Sequence, residues 1–247
     1  MVDMKNIIDK RETLFALAPF SEGVKALKRR GDLVDFAYSD LRLNGSKLTK
    51  EGVSNILDGN PVPDAPVLEH RLCEAHRKLL SKFDDMMYMS LETDGPLLDE
   101  ICKILSSADS PPYREGAPLL YHIDHVPGDS DRIPIDVSDM FKAVRRKDSA
   151  GQFYGDFCVK AAVIHMYIIE IYPYKEGFSE MAARAAAQYE LIRAGYFPVD
   201  PDVSEAEYNR INTYALKNET ALEYAELLQK AVLKKLDMLI DAVKRGI

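Results

Sequence analysis

Apolar residues recur at helical spacing along most of the chain, and this periodicity predicts a mainly α-helical protein. Residues 4–30 read as one or two helices, with Lys25, Lys28, Arg29 and Arg30 crowding the end and Gly31 as the stop. Cations at a helix C-terminus need no ligand to explain them. Thr49 is an N-cap for a helix running through Leu57, which Gly59 ends. Over 67–89, Leu68, Leu72, Ala75, Leu79, Phe83 and Met86 keep one apolar face. Gly95-Pro96 breaks the chain and a helix restarts over 97–105. Residues 156–171 are apolar on nearly every side, which places that helix at the centre. An alanine-rich helix over 180–194 stops at Gly195, and a further helix spans 204–217. The last helix, 219–244, carries the stripe Leu222, Ala225, Leu228, Val232, Leu236, Leu239 and Val243. That stripe is expected to pack on the body of the protein, with a homodimer seam as the second reading.

One stretch departs from the helical period. Residues 119–126 and 132–137 are short extended runs around a Pro127-Gly128-Asp129 turn, which predicts a β-hairpin. A helix then opens at 137–139, with Met140, Phe141 and Val144 on its inner side.

Composition narrows the class. The chain of 247 residues can bury a sizeable core, and 47% apolar residues exclude disorder. No apolar run is long enough to cross a membrane, and the first residues lack the apolar centre of a signal peptide. Three scattered cysteines, Cys73, Cys102 and Cys158, form no CxxC pair and suit a reducing, cytoplasmic setting. A net charge of −8 argues against nucleic-acid binding through phosphates.

The candidate chemistry lies in 172–180, Tyr-Pro-Tyr-Lys-Glu-Gly-Phe-Ser-Glu, a loop feeding a helix N-terminus. Such a terminus offers unpaired N–H groups and a positive dipole end, suited to an anion or a metal-bound anion. The histidines elsewhere carry less. His70 and His76 lie on different faces of one helix and read as solvated or capping residues. His122 and Asp124 share a face in the hairpin, but no third ligand follows from spacing, so a structural or surface role is favoured over a metal. His165, two turns before Tyr172, reads as a core histidine with a hydrogen-bond partner.

The loop resembles the signature of the Fic family, H-P-F-x-[D/E]-G-N-G-R-x-x-R. Tyr172 stands at the histidine, Pro173 matches, and Tyr174 replaces the phenylalanine. Glu176 and Gly177 match, while Phe178 replaces asparagine, Ser179 the second glycine and Glu180 the first arginine. Ala183 holds the second arginine position, with Arg184 one residue late. Upstream, Asp40, Asn44 and Gly45 take the places of the family's inhibitory-helix pattern [S/T]-x-x-x-E-[G/N]. Tyr113-Arg114 and the hairpin residues Leu120, Tyr121, His122 and Ile123 are similar to its "yR" pair and flap, and Tyr208 to Leu216 resembles its tyrosine-bearing helix.

The resemblance implies a Fic-like helical fold with one β-hairpin, the flap, beside the signature loop. It covers roughly 36–217, leaving an N-terminal helical segment (1–35) and a C-terminal helix (218–247) packing on the domain. It further implies a flap that holds a partner protein by strand addition. The family transfers a nucleoside monophosphate, usually AMP, to a protein hydroxyl. By that resemblance Tyr172 and Glu176 take the catalytic places, Glu176 also the Mg²⁺, and Gly177, Phe178, Ser179, Glu180 and Arg184 the ligand places.

The substitutions work against that chemistry. A free tyrosine titrates near 10, so roughly one in a thousand is phenolate at neutral pH. Loss of a positioned base costs about 10² to 10⁴ in rate. An anion at Glu180, facing a phosphate, reverses an interaction of about 4 kcal/mol per charge pair at ~4 Å with an effective dielectric of about 20. Three functions remain open: a binding or regulatory module without nucleotidyl transfer, a divergent enzyme using the same pocket for another substrate, with Glu176 or Glu180 as base or metal ligand, and a residual family-type transferase in which the displaced Arg184 serves the phosphates.

Overall fold

The computed structural model describes residues 4–153, 156–175 and 177–246. Among these, ten α-helices follow one another: α1 Met4–Ala16, α2 Glu22–Leu43, α3 Lys50–Leu57, α4 Val67–Tyr88, α5 Gly95–Ser106, α6 Ile133–Ser149, α7 Phe157–Ile171, α8 Phe178–Arg193, α9 Glu205–Asn218 and α10 Leu222–Arg245. None of the described helices is long and apolar enough to cross a membrane.

Helices α7 and α8 form the centre. Every residue of α8 from Ser179 to Leu191 is buried. Alanines at 182, 183, 185, 186 and 187 let neighbouring helices approach closely. On one side, α2 to α6 pack a core around Phe36, Phe83, Ile101, Phe141 and Tyr189. On the other, α1, α9 and α10 pack a second core around Ile7, Tyr208, Leu228 and Leu236. The apolar stripe of α10 therefore lies inward, on α1 and α7.

A polar ridge interrupts the alanines of α8 at every fourth residue: Glu180, Arg184 and Gln188, all buried. Residues four apart lie on one helix face. Glu180 turns toward the loop before α6, and Arg184 forms an ion pair with Asp40 of α2. The Gln188 amide donates to the Val199 carbonyl (2.8 Å) and accepts from the Val199 N–H (2.9 Å).

Four expectations are corrected. Gly31 does not stop a helix. It sits inside α2, which the buried Val24, Val34, Phe36 and Leu41 carry past it. The second extended run is helical, because Pro134 suits a first turn and Ile133, Val137, Met140, Phe141 and Val144 repeat at helical spacing. The flap is reduced to a tight turn with one antiparallel bridge, Leu120 to His125, and no strand forms among the described residues. His76 is neither solvated nor a cap but fully buried.

Candidate functional site

Tyr172 ends α7 in the left-handed region, φ +48°, and its side chain is 0% exposed. Arg114 holds this bend: its Nε donates to the Tyr172 carbonyl at 2.6 Å and its Nη2 to the Ile171 carbonyl at 3.1 Å. The same guanidinium reaches the carbonyls of Gly116 and Gly128, so one side chain fixes the signature loop and both ends of the loop before α6. Ser179 closes the signature loop from within. Its hydroxyl donates to the Tyr174 carbonyl (2.9 Å) and accepts from the Tyr174 N–H (2.8 Å).

Glu180, 7% exposed, lies in the first turn of α8. Its Oε2 accepts from the Gly177 N–H (3.1 Å), a reach back to the N-cap that satisfies one of the free donors of a helix start. Its Oε1 accepts from the Tyr172 hydroxyl (2.5 Å) and lies 2.9 Å from Nε2 of His122. Burial pushes this carboxyl up, but the contacts from His122, Tyr172, the backbone and the nearby Arg184 outweigh it and hold Glu180 below the usual carboxylate range.

Behind it, Arg184 and Asp40 are each 3% exposed. Nε2 of His76 is 2.8 Å from Asp40 Oδ2, and its Nδ1 is 2.7 Å from the Leu72 carbonyl, so both ring nitrogens face acceptors. Burial raises the Asp40 carboxyl, yet the Arg184 charge and His76 together keep it below the usual range. The Arg184 guanidinium lies over the Tyr208 ring at 5.2 Å, and Tyr208 meets His165 Nε2 at 2.7 Å. Burial first, and Arg184 second, press His165 well below the ordinary 6.5, so the ring is neutral.

These groups border a cleft of about 360 Å³ between the end of α2, the loop before α6, the start of α8 and the first turns of α9. Leu43, Asn44, His122, Gly177, Glu180, Glu205, Tyr208 and Asn209 line it. A wider cleft of about 460 Å³, with Lys28, Arg29, Arg77 and Asp84 on its walls, contains none of the signature residues.

Of the residues singled out by sequence, Asn44, His122, Gly177 and Glu180 thus meet at one cleft. Tyr172 stands behind Glu180, and Asp40 and Arg184 lie deeper, committed to each other. Gly45 (φ +81°) ends α2 beside Glu205, whose carboxylate lies 3.5 Å from where a side chain at Gly45 would begin. Phe178 packs on the core and does not fill the cleft. In the flap, Leu120 and Ile123 are buried, whereas Tyr121 is 85% exposed. Glu176, the implied catalytic and metal-binding residue, lies outside the described residues.

Sequence reasoning missed the contributions of Glu205, Tyr208 and Asn209 to the cleft, and the pairing of His76. The signal for the first was present: Ser204 caps α9 and aims its first turns at the cleft. Nothing local marks His76, whose partner is 36 residues away.

No model of a known protein family matches this sequence, and no curated protein is similar to it at a significant level. Solved structures are similar. A Fic-domain-containing signaling protein from Bacteroides thetaiotaomicron superposes with a TM-score of 0.80 at 17% identity, over 97% of this chain and 98% of that one. Fic-1 from C. elegans gives a TM-score of 0.76 at 16% identity, over 100% of this chain and 74% of that one. A Fic family protein from Desulfovibrio desulfuricans G20 gives 0.60 at 16% identity, again over 100% and 74%. At such identities the likeness speaks for the fold, and the chain has the fold of the Fic-domain proteins.

Proposed function

We propose that this chain is a Fic-like protein that does not transfer nucleotides and acts as a binding or regulatory module through the cleft and its adjoining loop. One observation carries this. The Glu180 carboxylate sits on the Gly177 N–H at the start of α8, where the resemblance sets the phosphates of a nucleotide. A triphosphate would meet a buried anion in its own cradle, and the two negative charges repel in a part-buried site. The Tyr172 hydroxyl points its proton at the same carboxylate and so serves as a donor there, not as a base. Arg184 is buried, paired with Asp40, and does not line the cleft. Mg²⁺ enters this picture only with a phosphate ligand, and a protein partner at the loop is the expected occupant.

The test is calorimetry with ATP and Mg²⁺ on the wild type and on Glu180→Arg, beside mass spectrometry for self-modification with AMP, UMP or GMP. A silent, unmodified wild type and a binding variant support the proposal. Micromolar binding by the wild type, or any transferred nucleotide, overturns it.

A second reading has its own support. His122, Glu180 and Glu205 converge on an open polar cleft that Phe178 leaves free. A divergent enzyme acting on something other than a nucleoside triphosphate could work there, with Glu180 as its base. Silence from both proteins toward ATP would favour this reading.

A further inference from the structure

A second cavity, of about 300 Å³, lies between the start of α5 and one face of α6. Among the described residues, none borders both it and the cleft at Glu180. Its floor follows from helical spacing. Ile133, Val137 and Phe141 fall every fourth residue on α6, so they share a face, and Arg145 continues the row one turn on. The first three are buried, while Arg145 is exposed. On the α5 side stand Asp94 and Asp99. Asp99 is half-buried and receives two phenols: Tyr113 and Tyr174 both donate to its Oδ1 at 2.7 Å, and Tyr113 also reaches Oδ2 at 2.7 Å. The two rings stack with centroids 5.5 Å apart, and Tyr113 lines the cavity. Lys103, one turn beyond Asp99, pairs with Glu100 instead (2.5 Å). Among the described residues, Asp94, Asp99 and Arg145 form no ion pair with one another or with a third residue.

We propose that this cavity is a second ligand site, and that it takes a zwitterion with an apolar body: a free amino acid, or a short peptide with both ends free. An ammonium beside Asp99 meets a carboxylate that no cation neutralises, and the neighbouring Tyr113 ring adds the attraction of an aromatic surface for a cation. The carboxylate of the same ligand meets Arg145, whose planar fork suits it. The apolar body lies along the row Ile133, Val137 and Phe141. Opposite charges that border one apolar track, and are not spent on each other, are matched by a molecule carrying both. A simple cation would leave Arg145 without a role, and a simple anion would face two aspartates. The Tyr174 hydroxyl bonds this site to the signature loop. The inference goes beyond the reading of the cleft at Glu180 and stands whether or not that cleft takes a nucleotide.

The experiment is calorimetry of the full chain with two probes, leucine and alanyl-leucine. Two blocked compounds accompany them: leucinamide, which lacks the carboxylate, and N-acetyl-leucine, which lacks the ammonium. Wild type is expected to bind at least one probe, and blocking either end to weaken binding by roughly ten-fold or more. Tighter binding of alanyl-leucine assigns the site to peptides, and tighter binding of leucine to free amino acids. Arg145→Gln changes an exposed side chain, so the fold is expected to persist. It should weaken the bound probe roughly ten-fold or more and leave leucinamide unchanged, a selectivity that a general loss of structure does not give. Asp99→Asn keeps an acceptor for the two tyrosines and should weaken the probe and leucinamide alike. No binding of either probe by wild type at millimolar concentration would overturn the site. Binding that Arg145→Gln does not change, or that leucinamide matches in wild type, would overturn the zwitterion.

Discussion

The Tyr172 hydroxyl donates to Oε1 of Glu180 across 2.5 Å, with both side chains enclosed between the end of α7 and the start of α8. Removing only that hydroxyl leaves the ring packed and the carboxylate with one donor fewer. Tyr172→Phe is expected to lower stability by about 1.5–3 kcal/mol, the range for a hydrogen bond to a charged group. Urea unfolding measures it, and a change within ~0.3 kcal/mol would show that the bond contributes nothing net.

The Arg184–Asp40 pair predicts a larger effect. Replacing one member strands the other charge in the core, so Arg184→Met and Asp40→Asn are each expected to cost about 3–5 kcal/mol. The double variant should lose less than the sum, because it strands neither charge. Denaturant titration of the four proteins reads the coupling, and simple additivity would contradict a direct pair.

Acid should destabilise the fold in two separate windows. His165 is held well below 6.5 in the folded protein, so beneath that pH the unfolded chain takes a proton that the folded one refuses. Stability then falls as pH drops, by up to about 1.4 kcal/mol per pH unit for one proton. His165→Gln should flatten the urea midpoint between pH 7 and 5. Asp40 acts lower: its folded carboxyl lies below the ordinary 3.8, so its contribution is present above that value and is lost as pH falls through the folded one. A midpoint independent of pH from 7 to 5 in the wild type would refute the buried neutral histidine.

Two glycines should respond oppositely to alanine. Gly31 lies inside α2 with no atom near its missing side chain, so Gly31→Ala is expected to stabilise by about 0.5–1 kcal/mol. Gly177 has φ +84° at the start of α8, so Gly177→Ala is expected to destabilise by about 1 kcal/mol or more. Thermal unfolding of both variants gives the signs.

The helices were legible because each carries its own period and punctuation, as Thr49 capping Gly52 illustrates. Gly31 misled because a single glycine costs less than the apolar face on both sides of it returns. The run 132–137 misled because two isoleucines and a valine suit a strand locally, and only the further residues to Val144 reveal the helical spacing. At the site, the loop and its neighbours could be found from order and spacing. The partnerships could not: His122 to Glu180, His76 to Asp40 and Arg184 to Asp40 join residues 36 to 144 apart.

A helix clothed in alanine on nearly every side has little to distinguish one azimuth from another, since small equal knobs fit a neighbour's grooves at several rotations. The ridge of Glu180, Arg184 and Gln188 removes that degeneracy. Each member answers to a different segment, at His122, Asp40 and Val199, so a rotation that kept one partner would forfeit the other two. Three teeth one turn apart thus index α8 in angle and in height, and the groups around Glu180 hold their alignment because residues two turns away hold theirs.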